Sequence, residues 1–140
     1  MKGAYQIEVK VRFRAGHRLI EPYRGKCNNP HGEGYTAIFV FGTDEVDDRG
    51  MVYDFGYVKE KLNKWIKENL DHAYIYCKDD KVGNYMKSQG FRTYEMDDNP
   101  TAENICKLLY NRFESLFENL MKVGLIESFD DNIAWYWRME

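Results

Sequence analysis

The residue types able to do chemistry crowd into one stretch of this chain, Cys27 to Tyr35, which reads CNNPHGEGY. Cys27, His31 and Glu33 put a thiol, an imidazole and a carboxylate within seven residues, among glycines and a proline. Ten residues upstream of Cys27, in FRAGHRL, stands His17; the chain has three histidines, so two of them belong to this region. His31 and Glu33 are an i, i+2 pair, which an extended backbone puts on one face. With His17 they form a two-imidazole, one-carboxylate set, a combination used by catalytic zinc that leaves a coordination position open. The competing reading is a polar strand end at His17 and a solvated carboxylate at Glu33. Cys27 also has two readings. Beside a metal or a protonated histidine its thiol acidifies and serves as a base or nucleophile. Otherwise it is a small apolar side chain.

Two more places carry titratable groups. Asp71 and His72 close a helical stretch, where the macrodipole favours a charged imidazole and an acidic neighbour can orient it. Taken alone, His72 reads as a helix-capping residue. Glu127, at the end of GLIES, taken alone reads as a solvated strand-end carboxylate. Cys106, on an apolar helical stripe, and Cys77, after AYIY, read as packing residues.

These groups need elements to hold them. Tyr5, Ile7, Val9, Val11 and Phe13 alternate with Gln6, Glu8, Lys10, Arg12 and Arg14, the period of a strand with one packed and one wet face. A loop rich in Gly, Pro and Asn is expected over 16–34, then a more central strand at YTAIFVFG, apolar on both faces. Phe55, Val58, Leu62, Trp65 and Ile66 fall at helical spacing behind Asp54, a capping residue. A second helix opens at NPTAEN, with Pro100 in its first turn and a stripe of Ile105, Leu108, Leu109, Phe113, Leu116 and Phe117. The segment 74–98 has no firm pattern beyond a short helix near 84–88. LMKVGLIES and NIAWYWRME read as strands joined at FDD. The order is β-β-α-α-β-β: an α+β fold with an antiparallel sheet and two helices on one face. Its two open edges invite oligomerisation.

The 140 residues suit a single domain over 1–140. No apolar run reaches the roughly 18 residues of a membrane helix, and the first residues lack a signal peptide's apolar core. The default address is cytoplasmic, with an odd three cysteines expected to stay reduced. A net charge of −3 without a basic block argues against a nucleic-acid partner.

Together, FRAGHRL, CNNPHGEGY, GMVYDFGYVKEKL, LDHAYI, NPTAEN, LMKVGLIES and DNIAWYWRME resemble the 6-pyruvoyl-tetrahydropterin synthase family, which includes the 6-carboxy-tetrahydropterin synthases of queuosine biosynthesis. The resemblance covers nearly the whole chain. It implies a tunnelling fold (T-fold) whose strands pair across subunits into a barrel, a homo-oligomer of three chains or of two stacked trimers (a homohexamer), with sites at subunit contacts. It implies zinc held by His17 and His31, Cys27 as the base, Asp71 and His72 completing a proton relay, and Glu127 anchoring a pterin ring. Thr101 and Glu103 border the pterin pocket on the same grounds. The implied substrate is 7,8-dihydroneopterin triphosphate, giving the 6-carboxy product with loss of triphosphate and acetaldehyde. The runner-up product is 6-pyruvoyl-tetrahydropterin, and the rival class is a pterin- or purine-binding protein without lyase activity. One position departs: the family has HGH or HNH where this chain has HGE. Glu33 is expected to remain a ligand; a change of metal or a lost site are the other outcomes. Segment 74–98 is also longer than usual and is expected to reshape the pocket rim.

Overall fold

The alternation of the first strand decides which way the sheet faces. In the computed structural model, which describes residues 3–128 and 130–139, β1 (Tyr5–His17) buries Val9, Val11, Phe13, Ala15 and His17 and exposes the residues between Glu8 and Arg14 that alternate with them. β2 (His31–Thr43) pairs with it antiparallel along its whole length, Tyr5 opposite Thr43 and His17 opposite His31. The two strands therefore end together, with both histidines side by side. The expected loop at 16–34 is shorter than its glycines suggest. Gly16, Gly32 and Gly34 are strand residues, and only 18–30 connects the strands.

Behind the sheet lie α1 (Phe55–Asn69) and α3 (Ala102–Phe113). Asp54 caps α1 by accepting from the Tyr57 N–H at 3.0 Å. α3 is capped by Thr101, whose hydroxyl accepts from Asn104 N–H at 3.1 Å; Pro100 thus precedes the cap rather than opening the helix. Val58, Leu62 and Ile66 of α1 and Ile105, Leu109 and Phe113 of α3 bury against Val11, Phe13, Phe39 and Phe41. Truncating one of these leucines, isoleucines or phenylalanines to alanine costs on the order of 2–5 kcal/mol. β5 (Leu120–Glu127) joins β2, and β6 (Ile133–Tyr136) joins β5, both antiparallel. Phe129, in the expected link between them, lies outside the described residues.

The expectation of a wholly antiparallel sheet with two helices needs correcting at segment 74–98. There the chain adds β3 (Tyr74–Cys77), α2 (Lys81–Ser88) and β4 (Thr93–Met96), giving a mixed six-stranded sheet in the order β4-β3-β1-β2-β5-β6. β3 is parallel to both β1 and β4, the pairing a helical crossover imposes. Every residue of β3 is buried, so no alternation advertises it. α2 lies directly on Tyr76: a Cβ at Gly83 would fall 2.1 Å from the Tyr76 Cγ. Gly83→Ala is therefore expected to cost about 2 kcal/mol or more, read as a lower urea midpoint; an unchanged midpoint would refute this packing. Among the described residues β3 pairs with β1 only at Gly16 and His17, so most of that edge of β1 carries no described strand, and β6 ends the other side.

Candidate active site

The register of β1 and β2 brings His17 and His31 together, with ring centroids 4.6 Å apart, and the alternation of β2 aims Glu33 at both. Glu33 Oε2 lies 3.4 Å from His17 Nε2 and 3.2 Å from His31 Nε2. Among the described residues these three form a group that could hold a metal ion, one ligand atom from each within 4.8 Å of the others.

The hydrogen bonds behind the rings decide what the front atoms are. His17 Nδ1 lies 2.9 Å from the Pro100 carbonyl, and His31 Nδ1 lies 2.6 Å from the Asn29 carbonyl. A carbonyl only accepts, so each Nδ1 carries the proton, and in the neutral ring each Nε2 then presents a lone pair, the tautomer a metal-binding imidazole needs. Tyr35 Oη sits 3.2 Å from His17 Nδ1. Burial pushes His17 below its ordinary value, the Pro100 bond works against this, and the nearby His31 ring adds to the lowering. Glu33, facing the ring, also works against the lowering, and His17 is only 2% exposed. The donor set of two imidazoles and a carboxylate fits a divalent cation.

Cys27 is half-buried, in a single helical turn at Lys26–Asn28. Its carbonyl accepts from Leu19 N–H at 2.8 Å, and Asn28 donates to the Leu19 carbonyl at 3.0 Å. Those bonds tie the thiol-bearing turn to the residues just after His17. Asn99 holds the same segment from the helix side, accepting from Ile20 N–H and donating to Ile20 C=O, both at 2.9 Å. The Tyr35 hydroxyl is kept well above its usual range first by burial and then by Glu127, Glu33 and Cys27.

Asp71 and His72 take a different position. Asp71 Oδ1 accepts from Arg14 N–H at 2.9 Å and Oδ2 lies 3.0 Å from His72 Nδ1. Burial opposes its ionisation, but the Arg14 N–H, His72 and Lys67 outweigh it and hold the acid low. The turn is braced by Arg92, which donates to the Asp71 carbonyl at 2.9 Å and also bonds the Lys67 carbonyl. His72 has φ 62° and a side chain 75% exposed. It opens onto a cleft of about 1050 Å³ shared with Arg14, Gly16, Gly32, Gly34 and, from the added unit, Phe91. An added Cβ at Gly32 or Gly34 would meet nothing within 4 Å, and Glu33 and Ser128 line the same cleft. Cys27 is not among its lining residues, and among the described residues no hydrogen bond joins Cys27 to Asp71 or His72.

Glu127 and Glu103 line a cavity of about 290 Å³ with Asp130, Asn132 and Ala134. Glu127 sits opposite Tyr35 in the strand register. Burial first, then the charge of Glu33, lifts its acid to about 7; His31 opposes this and Glu103 adds to it. Thr101 stands outside that lining, its hydroxyl engaged as the α3 cap. The Pro100 carbonyl, the Asn99 clamp and Ser128, which donates to Glu33 Oε1, went unread in the sequence. Backbone groups leave no residue-type signal, and Ser128 offered only its adjacency to Glu127.

A curved α+β sheet with a two-histidine, one-carboxylate cluster at the joined ends of its two longest strands defines a class, and comparison with known proteins names it. Residues 6–139 match the sequence model of 6-pyruvoyl tetrahydropterin synthase. A Rickettsia conorii protein named 6-carboxy-5,6,7,8-tetrahydropterin synthase is 42% identical over 111 residues, covering 77% of this chain and 80% of the relative. The structure of Caenorhabditis elegans 6-pyruvoyl tetrahydropterin synthase superposes with a TM-score of 0.71 at 26% identity, over 99% of both chains. An uncharacterized Wolinella succinogenes protein shares the fold, with a TM-score of 0.80 at 20% identity, over 96% of this chain and 98% of its own. The chain belongs to the 6-pyruvoyl tetrahydropterin synthase family and has its tunnelling fold. It is a lyase of that family. No helix among the described residues is long and apolar enough to cross a membrane.

Proposed function

We propose that this chain, a single domain, is a zinc-dependent 6-carboxy-5,6,7,8-tetrahydropterin synthase working on 7,8-dihydroneopterin triphosphate in the cytoplasm. The net reaction consumes one water and releases triphosphate and acetaldehyde. The observation that carries the reading is the convergence of two Nε2 lone pairs and Glu33 Oε2, within electrostatic reach of Glu127. The name and 42% identity of the Rickettsia relative favour the 6-carboxy product. Its place in 7-deazapurine (queuosine) synthesis follows from that product.

His17, His31 and Glu33 would hold the ion, which when bound acts as a Lewis acid toward side-chain oxygens and raises the acidity of neighbouring C–H and O–H bonds. Glu127 grips the pterin, its two oxygens accepting from adjacent ring N–H donors, with Glu103 on the same cavity wall. Cys27, as thiolate, takes a proton from the substrate side chain. His72, oriented by Asp71, gives and receives protons at the other face of that side chain.

This relay needs a second copy. His72 opens onto the cleft floored by Gly16, Gly32 and Gly34, whereas Cys27 sits on the loop held against the Asn99 end of α3. A neighbour's β6 laid along the bare edge of β1 would close the sheets into a barrel and carry its own Glu127–Glu103 cavity toward this chain's His72. A trimer, alone or stacked in pairs, satisfies both edges.

Ring binding carries a pH signature. The ionised Glu127 is the accepting form, and its acid lies near 7. In metal-free protein, pterin affinity should fall as pH drops through that value, about tenfold between roughly pH 8 and pH 6. Titration of pterin fluorescence reads it, and a flat profile would contradict it. Stability moves the other way. The folded state holds this proton more tightly than the unfolded chain does, so the contribution is full below the ordinary carboxylate range and lost as pH rises through about 7.

Incubation with dihydroneopterin triphosphate tests the assignment. Acetaldehyde and a 6-carboxy product are expected in equal amounts. A pyruvoyl product without acetaldehyde would move the chain to the other branch, and no turnover of either kind would sink the lyase reading.

A further inference from the structure

Glu33 has two oxygens and the imidazoles use one. His17 Nε2 and His31 Nε2 both face Oε2, while the Ser128 hydroxyl donates to Oε1. Ser128 is itself pinned to the strand bearing Glu33. Its N–H donates to the Gly34 carbonyl at 2.8 Å, and Gly34 N–H points back at the Ser128 Oγ at 3.4 Å. The residue adopts φ 51°, a left-handed conformation that β5 takes up directly after Glu127. Serine rarely occupies this region, and here it turns the hydroxyl toward the carboxylate 95 positions away.

The geometry points to Ser128 as a positioning residue that holds Glu33 in a one-oxygen ligand mode and so makes a carboxylate stand in for a third imidazole. An imidazole offers one lone pair in a fixed direction. A free carboxylate rotates and can offer two oxygens. With Oε1 held by a hydroxyl donor, only Oε2 faces the imidazoles, which restores the single-donor geometry that leaves room for substrate oxygens at the ion. The inference rests on the reading of Glu33 as a metal ligand.

Ser128→Gly separates this from a merely structural role. Glycine suits φ 51°, so the metal-free variant should melt at or above the wild-type temperature. Its zinc affinity, measured by competition with a chromogenic chelator, should nevertheless fall about 10–100-fold, the usual consequence of losing a group that orients a ligand. Ser128→Ala, which keeps a Cβ but no hydroxyl, should lose affinity to the same degree. Wild-type zinc affinity in both variants would overturn the inference. Glu33→Gln, run alongside, keeps the two failures apart. If it loses zinc while the Ser128 variants do not, only the positioning role falls; if it binds zinc like the wild type, the ligand assignment of Glu33 falls too.

Discussion

Cys27→Ala is expected to lower kcat by about 10³-fold, the scale of a lost general base, while leaving pterin affinity within a few-fold. The separation follows from the architecture. Cys27 sits on the turn at Lys26–Asn28, whereas the cavity lined by Glu127 and Glu103 is built from the end of β5, the start of α3 and the start of β6. Removing one sulfur leaves that cavity intact. The loop keeps its fastening as well, because Cys27 is held through its backbone carbonyl and Leu19, and Ile20 is clamped by Asn99. Stopped-flow turnover and equilibrium pterin binding on the same preparation give both numbers. A Cys27→Ala protein with near wild-type kcat would remove the thiol from the chemistry.

The second large effect concerns where the relay partners come from. Cys27→Ala and His72→Ala homomers should each be nearly inactive, yet chains carrying one lesion each, co-expressed with different tags and purified as mixed assemblies, should regain activity. If every site takes its thiol from one chain and its His72 from the next, random mixing leaves about a quarter of sites with both groups. His72 faces the open cleft with its side chain 75% exposed, and no hydrogen bond links it to Cys27 among the described residues. A site completed within one chain would give no recovery, and so would a protein that stays monomeric.

Much of this arrangement was legible in residue order, for identifiable reasons. The alternation from Tyr5 to Phe13 reports a surface half packed and half wet, and β1 buries the odd-numbered set from Val9 onward. Asp54 before Phe55 advertises a cap because a short carboxylate satisfies a free helical N–H, and it accepts from Tyr57 N–H. Glu33 and His31 share a face as their spacing requires. The glycines misled: Gly16, Gly32 and Gly34 suggest a long turn but are strand residues whose missing side chains keep the cleft open. β3 and β4 were invisible because four-residue strands carry too few side chains to show a period, and β3 is buried on both faces. Their contribution, Phe91 in the cleft and Arg92 bracing the Asp71 turn, depends on parallel pairing that local sequence does not encode. The tautomers of His17 and His31 were likewise unreadable, since the carbonyls of Pro100 and Asn29 set them.

The ion itself is the most direct test. Protein purified without chelator should contain one zinc per chain, and X-ray absorption at the zinc edge should show two imidazole nitrogens with a single carboxylate oxygen. Stripping the metal should abolish turnover, and stoichiometric zinc should restore it. Well under one metal per chain, with turnover indifferent to added zinc, would contradict the account and leave a pterin-binding protein in its place.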